Sequence, residues 1–263
     1  MAVATDVELR RDGPIAFVRL DGADRLNAIG SHTCRRLAEV VREIEADRGI
    51  RAAVVQGAGR AFSAGADIAE IAAFAGTADY ERFITGFTDA LDLIENSPVP
   101  FVAAVAGAAF GGGLELALAC DLRVIGRDVR VGLPEAKLGV LPGAAGTQRL
   151  PRLIPRGIAL EMLVLGQPIT GERAYQLGLA NRTGDADEVL PTAVELARAL
   201  AGGAALVPHL AKRLLRETEH LTVADGVVRE RAIATALFDS TDGREGFAAF
   251  VAKRPPVFAA ERS

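Results

Sequence analysis

Residues 101–120 read FVAAVAGAAFGGGLELALAC, and this stretch constrains the fold more strongly than any other in the chain. Its length and its single charge, Glu115, are those of a membrane span. The run of three glycines and the cost of a carboxyl in lipid favour a buried strand over 101–105, a turn, and a buried helix from about Leu114. Glu115 is therefore predicted to be a carboxyl in the protein core.

Strands alternate with helices on both sides of this stretch. Residues 7–10 and 15–20 flank Asp12-Gly13, which predicts a hairpin. Further strands are predicted over 52–57 and 122–125, and helices from a cap at Ser31, from Asp67 and over 80–95. Such alternation indicates crossover connections and a mainly parallel sheet.

Beyond residue 183 the pattern changes to helices alone. Four helices are predicted, over 189–200, 207–219, 226–238 and 243–251. We therefore expect two regions, an α/β core over residues 1–185 and a helical C-terminal region over residues 186–263.

The composition excludes several classes of protein. The chain has 263 residues, half of them apolar, which is enough for a sizeable core and excludes a disordered chain or a small disulfide-stapled scaffold. Its net charge of −4, with basic and acidic residues interspersed, disfavours nucleic acid as a partner. Cys34 and Cys120 are expected to be small buried residues in a reducing cytoplasm. Residues 1–6 lack a secretory signal pattern, and neither secretion nor a membrane partner is expected.

Two glutamates, Glu115 and Glu135, each lie beside a glycine-rich turn. A single buried glutamate at such a turn more often caps a helix than takes part in chemistry. A pair in apolar surroundings can divide into a proton donor and a proton acceptor. The glycines of Gly65-Ala66 and Gly111-Gly112-Gly113 leave backbone N–H groups open to a ligand, and two such amides aimed at one carbonyl oxygen form an oxyanion hole.

Other sites are disfavoured by their missing motifs. There is no dinucleotide fingerprint, Walker lysine pattern or Gly-x-Ser-x-Gly elbow. The three histidines, His32, His209 and His220, lack the spacing of metal ligands. No metal and no nucleotide cofactor are expected.

Several motifs together resemble the enoyl-CoA hydratase/isomerase family, the crotonase superfamily. They are residues 62–68, 107–121, 133–135 and 138–150, extended by Asn27 near the start and by residues 245–254 near the end. The resemblance implies a crotonase-like ββα spiral core, followed by a C-terminal helical region that mediates homotrimers, often paired into homohexamers. It also implies an acyl-CoA thioester substrate and no separate cofactor, because coenzyme A is part of that substrate.

The resemblance also implies roles for individual residues. The amides of Ala66 and Gly112 match the family's oxyanion pair, Glu115 is assigned as the base that activates water, and Glu135 as the acid that protonates the α-carbon. The residues implied in binding substrate or coenzyme A are Arg25, Leu26, Ala64, Asp67, Ile68, Gly143, Lys253 and Phe258. For the last two, the resemblance leaves open a contact across a subunit boundary and also the role of an ordinary charged tail.

These assignments predict an enoyl-CoA hydratase, a hydro-lyase that adds water across the 2,3 double bond of a trans-2-enoyl-CoA. A 3,2-enoyl-CoA isomerase is the nearest alternative, although it needs only one carboxyl. A non-catalytic relative that binds RNA is disfavoured by the acidic net charge. Fatty-acid breakdown is the default pathway, and both the acyl length and other pathways stay open.

Overall fold

The computed structural model describes residues 4–258, and within them ten strands form two sheets. The strands are β1 (Asp6–Asp12), β2 (Ile15–Asp21), β3 (Ala52–Gly57), β4 (Ala61–Ser63), β5 (Phe101–Val105), β6 (Ala108–Phe110), β7 (Leu122–Gly126), β8 (Arg130–Gly132), β9 (Ile169–Thr170) and β10 (Arg182–Gly184). The larger sheet has the order β1-β2-β3-β5-β7-β10 and the smaller one β4-β6-β8-β9.

Eleven α-helices connect or follow these strands within the same residues. They are α1 (Ser31–Ala46), α2 (Ile68–Ala72), α3 (Thr77–Asn96), α4 (Gly112–Ala119), α5 (Gly146–Leu153), α6 (Arg156–Leu165), α7 (Gly171–Gln176), α8 (Val189–Gly202), α9 (Leu206–Thr218), α10 (Val223–Asp239) and α11 (Thr241–Val251). Short 3-10 turns cover Ala23–Arg25 and Glu135–Leu138.

The strand pairing confirms the predicted hairpin and the mainly parallel sheet. β1 and β2 pair antiparallel, and the remaining neighbours in the larger sheet are all parallel. The smaller sheet is parallel except for β8 and β9. The stretch 101–120 forms β5, β6 and α4, as expected of buried elements, and α4 begins at Gly112 rather than near Leu114.

The central strands of the larger sheet, β2, β3, β5 and β7, are buried on both faces because their alternate residues enter two apolar cores. Phe101, Ala103 and Val105 of β5 join one core, which includes residues of α1 and α3. Val102 and Ala104 join the other, where α8 packs. Parallel sheets need this cover on both sides, which explains why the strands are nearly continuous apolar runs.

One predicted helix cap is wrong. Ser31 is the first residue of α1, and Gly30 holds the cap position. The backbone amide and hydroxyl of Ser31 instead bind the carboxylate of Glu70 on α2, with an N to Oε2 distance of 3.0 Å. A carboxylate from 39 residues further along the chain therefore satisfies the helix terminus that Ser31 was expected to cap.

The last three helices are less buried than the rest of the fold. Of the described residues, none in α9 or α10 is fully buried, and Phe247, Phe250 and Val251 of α11 are exposed. Lys212 of α9 ties this region to the core, because its Nζ lies 3.0 Å from Asp121 Oδ2 and 3.3 Å from the Ile94 carbonyl. The division at residue 185, the trimer and the hexamer stay predictions.

Within the described residues, no single helix has the length and hydropathy of a membrane span. Helices α8 and α9 have that length and hydropathy only when taken together, and the two helices are bent by 101° relative to each other. The expectation of no secretory signal rests partly on residues 1–3, which lie outside the described residues.

A buried asparagine, Asn27, joins the chain before α1 to the strand that leads into the first glycine turn. Its Nδ2 donates to the carbonyls of Ala58, Ala61 and Phe62 at 2.9, 2.8 and 3.2 Å, and its Oδ1 accepts from the Gly22 amide at 3.0 Å. The side chain is fully buried, and the backbone is left-handed with φ of 56°.

We expect Asn27→Ala to lower the free energy of unfolding by about 3 kcal/mol, because four buried backbone groups lose their partner and alanine is strained at positive φ. Asn96→Ala is the matched control, since Asn96 is exposed and makes one hydrogen bond to Asp92. Urea unfolding of both variants measures the difference. An equal, small loss in the two would contradict the structural role of Asn27.

Candidate active site

Three loops that follow neighbouring strands of the smaller sheet meet around one cavity of about 410 Å³. Ala64-Gly65-Ala66 follows β4, Gly111-Gly112 follows β6, and Pro134-Glu135 lies just after β8. These three strands are parallel neighbours, so their carboxyl ends lie at one edge, where open α/β sheets commonly bind ligands. The cavity is also lined by Ile68, Ile71, Ala72, Tyr80, Phe83, Ile84, Phe87, Glu115, Leu138, Val140, Leu141 and Gly143.

The backbone amides of Ala66 and Gly112 lie next to each other at this edge. A Cβ built on Gly112 would lie 3.4 Å from the Ala66 nitrogen, and one built on Gly65 would lie 3.2 Å from the Gly112 nitrogen. Gly65 has φ of +102°, and a side chain there would also meet the Phe110 carbonyl at 2.7 Å, so glycine is required. Gly112 is the first residue of α4, where an amide has no acceptor within its helix. The two nitrogens therefore lie close together at the cavity, and their role as an oxyanion hole stays a prediction.

Glu115 lies in the first turn of α4 and is only 3% exposed. Its Oε1 accepts hydrogen bonds from the amides of Ala144 and Gly146, both at 2.8 Å. Burial raises the pKa of Glu115 to about 7, and the negative charge of Glu135 acts in the same direction, whereas the two amides and Arg149 oppose the shift. A carboxyl with this pKa exchanges protons readily near neutral pH.

Glu135 begins the 3-10 turn after β8 and is partly buried. Its carboxyl lies against Gly111, where an added Cβ would be 2.8 Å from Oε1, and Gly111 has φ of +50°. The other oxygen, Oε2, is buried and has no hydrogen-bond partner among the described residues. Burial raises the pKa of Glu135, and the protonated form is correspondingly favoured.

The two carboxyls therefore differ in what they can do. Two amides hold one Glu115 oxygen and favour its charged form, although burial still raises its pKa to about 7. Glu135 has one buried oxygen without a hydrogen-bond partner among the described residues, and a single backbone hydrogen bond opposes the burial that raises its pKa. Both line one apolar cavity next to the paired amides of Ala66 and Gly112. This arrangement can take a proton at one point, deliver one at another and stabilise negative charge on a carbonyl oxygen between them.

Four of the predicted binding residues lie at or beside the same loops. Ala64 lines the cavity, and its amide donates to the Leu26 carbonyl at 2.8 Å. Asp67 caps α2 and pairs with Arg25, whose Nη2 lies 2.5 Å from Oδ2. Arg25, Leu26 and Asp67 thus support the first glycine turn and do not line the cavity itself.

Ile68 and Gly143 line the cavity, and their contact with the substrate stays a prediction. The side chain of Ile68 is 54% exposed, and Gly143 packs closely against Ile84 of α3.

Lys253 and Phe258 lie apart from this cavity. Phe258 lines a separate groove with Phe247 and Phe250 near α11, and Lys253 is exposed after the end of that helix. Neither lines the cavity that contains the two glutamates. Their contact with coenzyme A, including one across a subunit boundary, stays a prediction.

Several residues of the site escaped the sequence reasoning. The amides of Ala144 and Gly146, which hold Glu115, come from the glycine cluster 143–146, where the run of small residues was a usable signal. Phe87 and Ile84 form the cavity wall, but helical periodicity identifies such residues only as apolar and cannot tell a cavity from a core. No three or more His, Cys, Asp or Glu side chains of residues 4–258 group to hold a metal, and the absence of a metal or other cofactor stays a prediction.

Known proteins resemble this chain over nearly its whole length. A model of the enoyl-CoA hydratase/isomerase family matches residues 10–261. A probable enoyl-CoA hydratase of Bacillus subtilis is 38% identical over 236 residues, which cover 89% of this chain and 92% of the relative. A 2,3-dehydroadipyl-CoA hydratase of Escherichia coli is 38% identical over 227 residues, covering 84% and 87%. The crystal structure of an enoyl-CoA hydratase from Bacillus anthracis superposes with a TM-score of 0.93 at 29% identity, covering 97% of this chain and all of the other.

A spiral α/β fold with this cavity defines an enzyme of the crotonase class, and the predicted fold class is confirmed. The chain belongs to the enoyl-CoA hydratase/isomerase family. The names of the family and of its relatives indicate a hydro-lyase, and the family implies an acyl-CoA substrate.

The raised pKa of Glu115 predicts a stability difference that depends on pH. The group is protonated in both states below its ordinary value of 4.5, so it has no effect there, and stability is lost as pH rises to the folded value of about 7. Glu115→Gln cannot ionise at this position. We therefore expect its free energy of unfolding, relative to that of the wild type, to increase by about 3 kcal/mol between pH 4.5 and pH 8. Urea unfolding at both pH values tests this, and a constant difference would contradict the shift.

Proposed function

We propose that the protein is an enoyl-CoA hydratase, which adds water reversibly across the 2,3 double bond of a trans-2-enoyl-CoA to give a 3-hydroxyacyl-CoA. The observation that carries the proposal is the meeting of Glu115, Glu135 and the amides of Ala66 and Gly112 on one cavity. A double-bond isomerase needs a single carboxyl to remove and return a proton. This cavity instead has two carboxyls, each with different hydrogen-bond partners, and such a pair favours the addition of water.

Water addition divides between the two carboxyls. The ionised Glu115 takes a proton from water as the water oxygen bonds to C3, and the protonated Glu135 gives its proton to C2. One proton has then moved onto Glu115 and one has left Glu135, so exchange with solvent or between the carboxyls restores the starting state. Burial raises the pKa of both groups, that of Glu115 to about 7, and this supports the exchange.

The amides of Ala66 and Gly112 would stabilise the negative charge that this addition creates. When oxygen bonds to C3, electron density moves to the thioester oxygen and gives an enolate. Ala66 and Gly112 both line the apolar cavity, and one oxyanion donor typically stabilises the transition state by about 3 kcal/mol.

The acyl chain is proposed to be uncharged. Among the described residues that line the cavity, the charged side chains are the two glutamates alone, and Tyr80, Phe83, Ile84 and Phe87 form an apolar wall. A second carboxylate on the substrate would lose hydration there without meeting a cation, and both glutamates would repel it.

We expect the purified protein to hydrate crotonyl-CoA, because both carboxyls and the proposed oxyanion pair line one cavity. Loss of the conjugated thioester absorbance, with 3-hydroxybutyryl-CoA identified as product, is the measurement. A 3-enoyl-CoA incubated in parallel detects isomerisation to the 2-enoyl-CoA. Isomerisation without hydration across several chain lengths would overturn the proposal in favour of the isomerase.

Separate substitutions at the two carboxyls serve as controls for the assigned chemistry. Glu115→Gln and Glu135→Gln are each expected to lower kcat by about 100-fold or more while crotonyl-CoA still binds, because each removes a proton-transfer group. Glu161→Gln on the exposed face of α6 is the matched variant with unchanged turnover. A near-normal kcat in either site variant would remove that residue from the mechanism.

Substrate polarity is tested with two thioesters of equal length. We expect kcat/KM for 2,3-dehydroadipyl-CoA to be at least about tenfold lower than for trans-2-hexenoyl-CoA, because only the former adds a carboxylate, and a tenfold factor is about 1.4 kcal/mol. The E. coli relative named for the adipyl substrate provides the comparison enzyme. Equal values for this protein would contradict the proposed neutral acyl site.

A further inference from the structure

Arg149 of α5 is a buried cation that binds three acceptors from two parts of the fold. The residue is 8% exposed. Its Nη2 lies 2.6 Å from Asp92 Oδ1 and 2.6 Å from Glu95 Oε2, and its Nε lies 3.0 Å from the same Glu95 oxygen. Its Nη1 donates to the Ala144 carbonyl at 3.1 Å. The guanidinium thus connects the C-terminal end of α3 with the loop before α5.

The loop that Arg149 holds is the one that binds Glu115. Ala144 offers its carbonyl to Arg149 and its amide to Glu115 Oε1, and Gly146 adds the second amide. Between them, Ala145 is left-handed with φ of 69°, a conformation that alanine adopts only when its surroundings impose it. The Arg149 amide also donates to the Ala145 carbonyl at 2.8 Å. One residue therefore fixes the loop through both its side chain and its backbone.

The same guanidinium supports the cavity wall. Asp92 and Glu95 lie on α3, about one to three turns after Ile84 and Phe87, which line the cavity. Ile84 packs against Gly143 at the start of the loop, and Thr88 approaches the Gly143 carbonyl at 3.5 Å. Movement of α3 relative to the loop would therefore displace the wall and the amides together.

We propose that Arg149 is a positioning residue for the hydration step, which holds the Ala144 and Gly146 amides against Glu115 by bridging them to Asp92 and Glu95. The expected effect on kcat rests on the proposed function. The bridge from Arg149 to the loop does not depend on that function. Arg149 does not line the cavity and does not touch the reacting atoms.

Arginine suits this position better than lysine because the three acceptors lie in different directions. A planar guanidinium with five N–H donors in a fixed fork meets two carboxylates and a carbonyl at once, whereas an ammonium keeps the charge without that geometry. Arg149→Lys therefore separates the effect of charge from the effect of the bridge, and Arg149→Met removes both.

The kinetic test compares these variants with Arg152→Met, which lies in the same helix, is exposed and pairs with Glu219. We expect Arg149→Met to lower kcat for crotonyl-CoA by about 100-fold with KM changed less than threefold, because misplacement of a reacting group by about 1 Å has this effect. Arg149→Lys is expected to recover only part of the loss, and Arg152→Met to match the wild type. Full activity of Arg149→Met would overturn the inference.

A second pair of variants guards against loss of folding. The double variant Asp92→Asn, Glu95→Gln keeps Arg149 but removes the negative charge of both its ion-pair partners, whose side chains are partly exposed. This double variant is expected to lower kcat at least fivefold with unchanged secondary structure by circular dichroism. Wild-type kcat in it would show that the bridge does not position Glu115.

Titration of Glu115 provides a readout that does not depend on turnover. The charged groups that face its carboxyl are Glu135 and Arg149, with Asp92 and Glu95 behind the latter. Carbon-13 NMR of glutamate-labelled protein, assigned with Glu115→Gln, should show a higher pKa for Glu115 in Arg149→Met than in the wild type, and no change in Arg152→Met. If the wild type proves inactive but the pKa of Glu115 is still higher in Arg149→Met, only the proposed function is refuted. If the pKa of Glu115 is the same in both proteins, the bridge is refuted.

Discussion

A carboxyl buried beside a second carboxyl is the constraint on which the rest of this site depends. Glu115 is almost inaccessible, and removing a carboxylate from water is costly unless hydrogen bonds replace the lost solvation. The structure supplies two amides from residues 29 and 31 positions further on. Those amides are available because a loop of small residues folds back over α4, and Arg149 holds that loop. The chemistry of one side chain therefore dictates the backbone path of a distant segment.

The smaller sheet explains how the remaining parts meet. Three parallel strands, β4, β6 and β8, end at a common edge, and each is followed by a different part of the site. The first two are followed by backbone amides and the third by Glu135. The central strands of the larger sheet are buried between two apolar cores. The helices that cover it also provide the apolar wall, which raises the pKa of both carboxyls by excluding water.

Local patterns predicted much of this arrangement and failed where partners are remote. The hairpin, the buried strands, the long helix before residue 96 and the four final helices follow from periodicity and turn residues, which act over a few positions. Ser31 was misassigned as a cap because Glu70, far along the chain, binds its amide and hydroxyl. Arg149 lies within a family motif, but nothing in its sequence neighbours indicates that Asp92 and Glu95 are its partners.

The order of residues was sufficient to single out Glu115, Glu135 and two glycine turns, since these are local features, and the family resemblance then assigned Ala66 and Gly112 within those turns. It was also sufficient for the family, because many short motifs occur together in one order. Tertiary structure alone decided that these four residues share a cavity, that Lys253 and Phe258 lie outside it, and that one carboxyl is held by amides while the other keeps a free oxygen. The physical reason is that solvation and hydrogen bonding depend on neighbours in space, which a chain acquires only when its strands pair and its loops close over them.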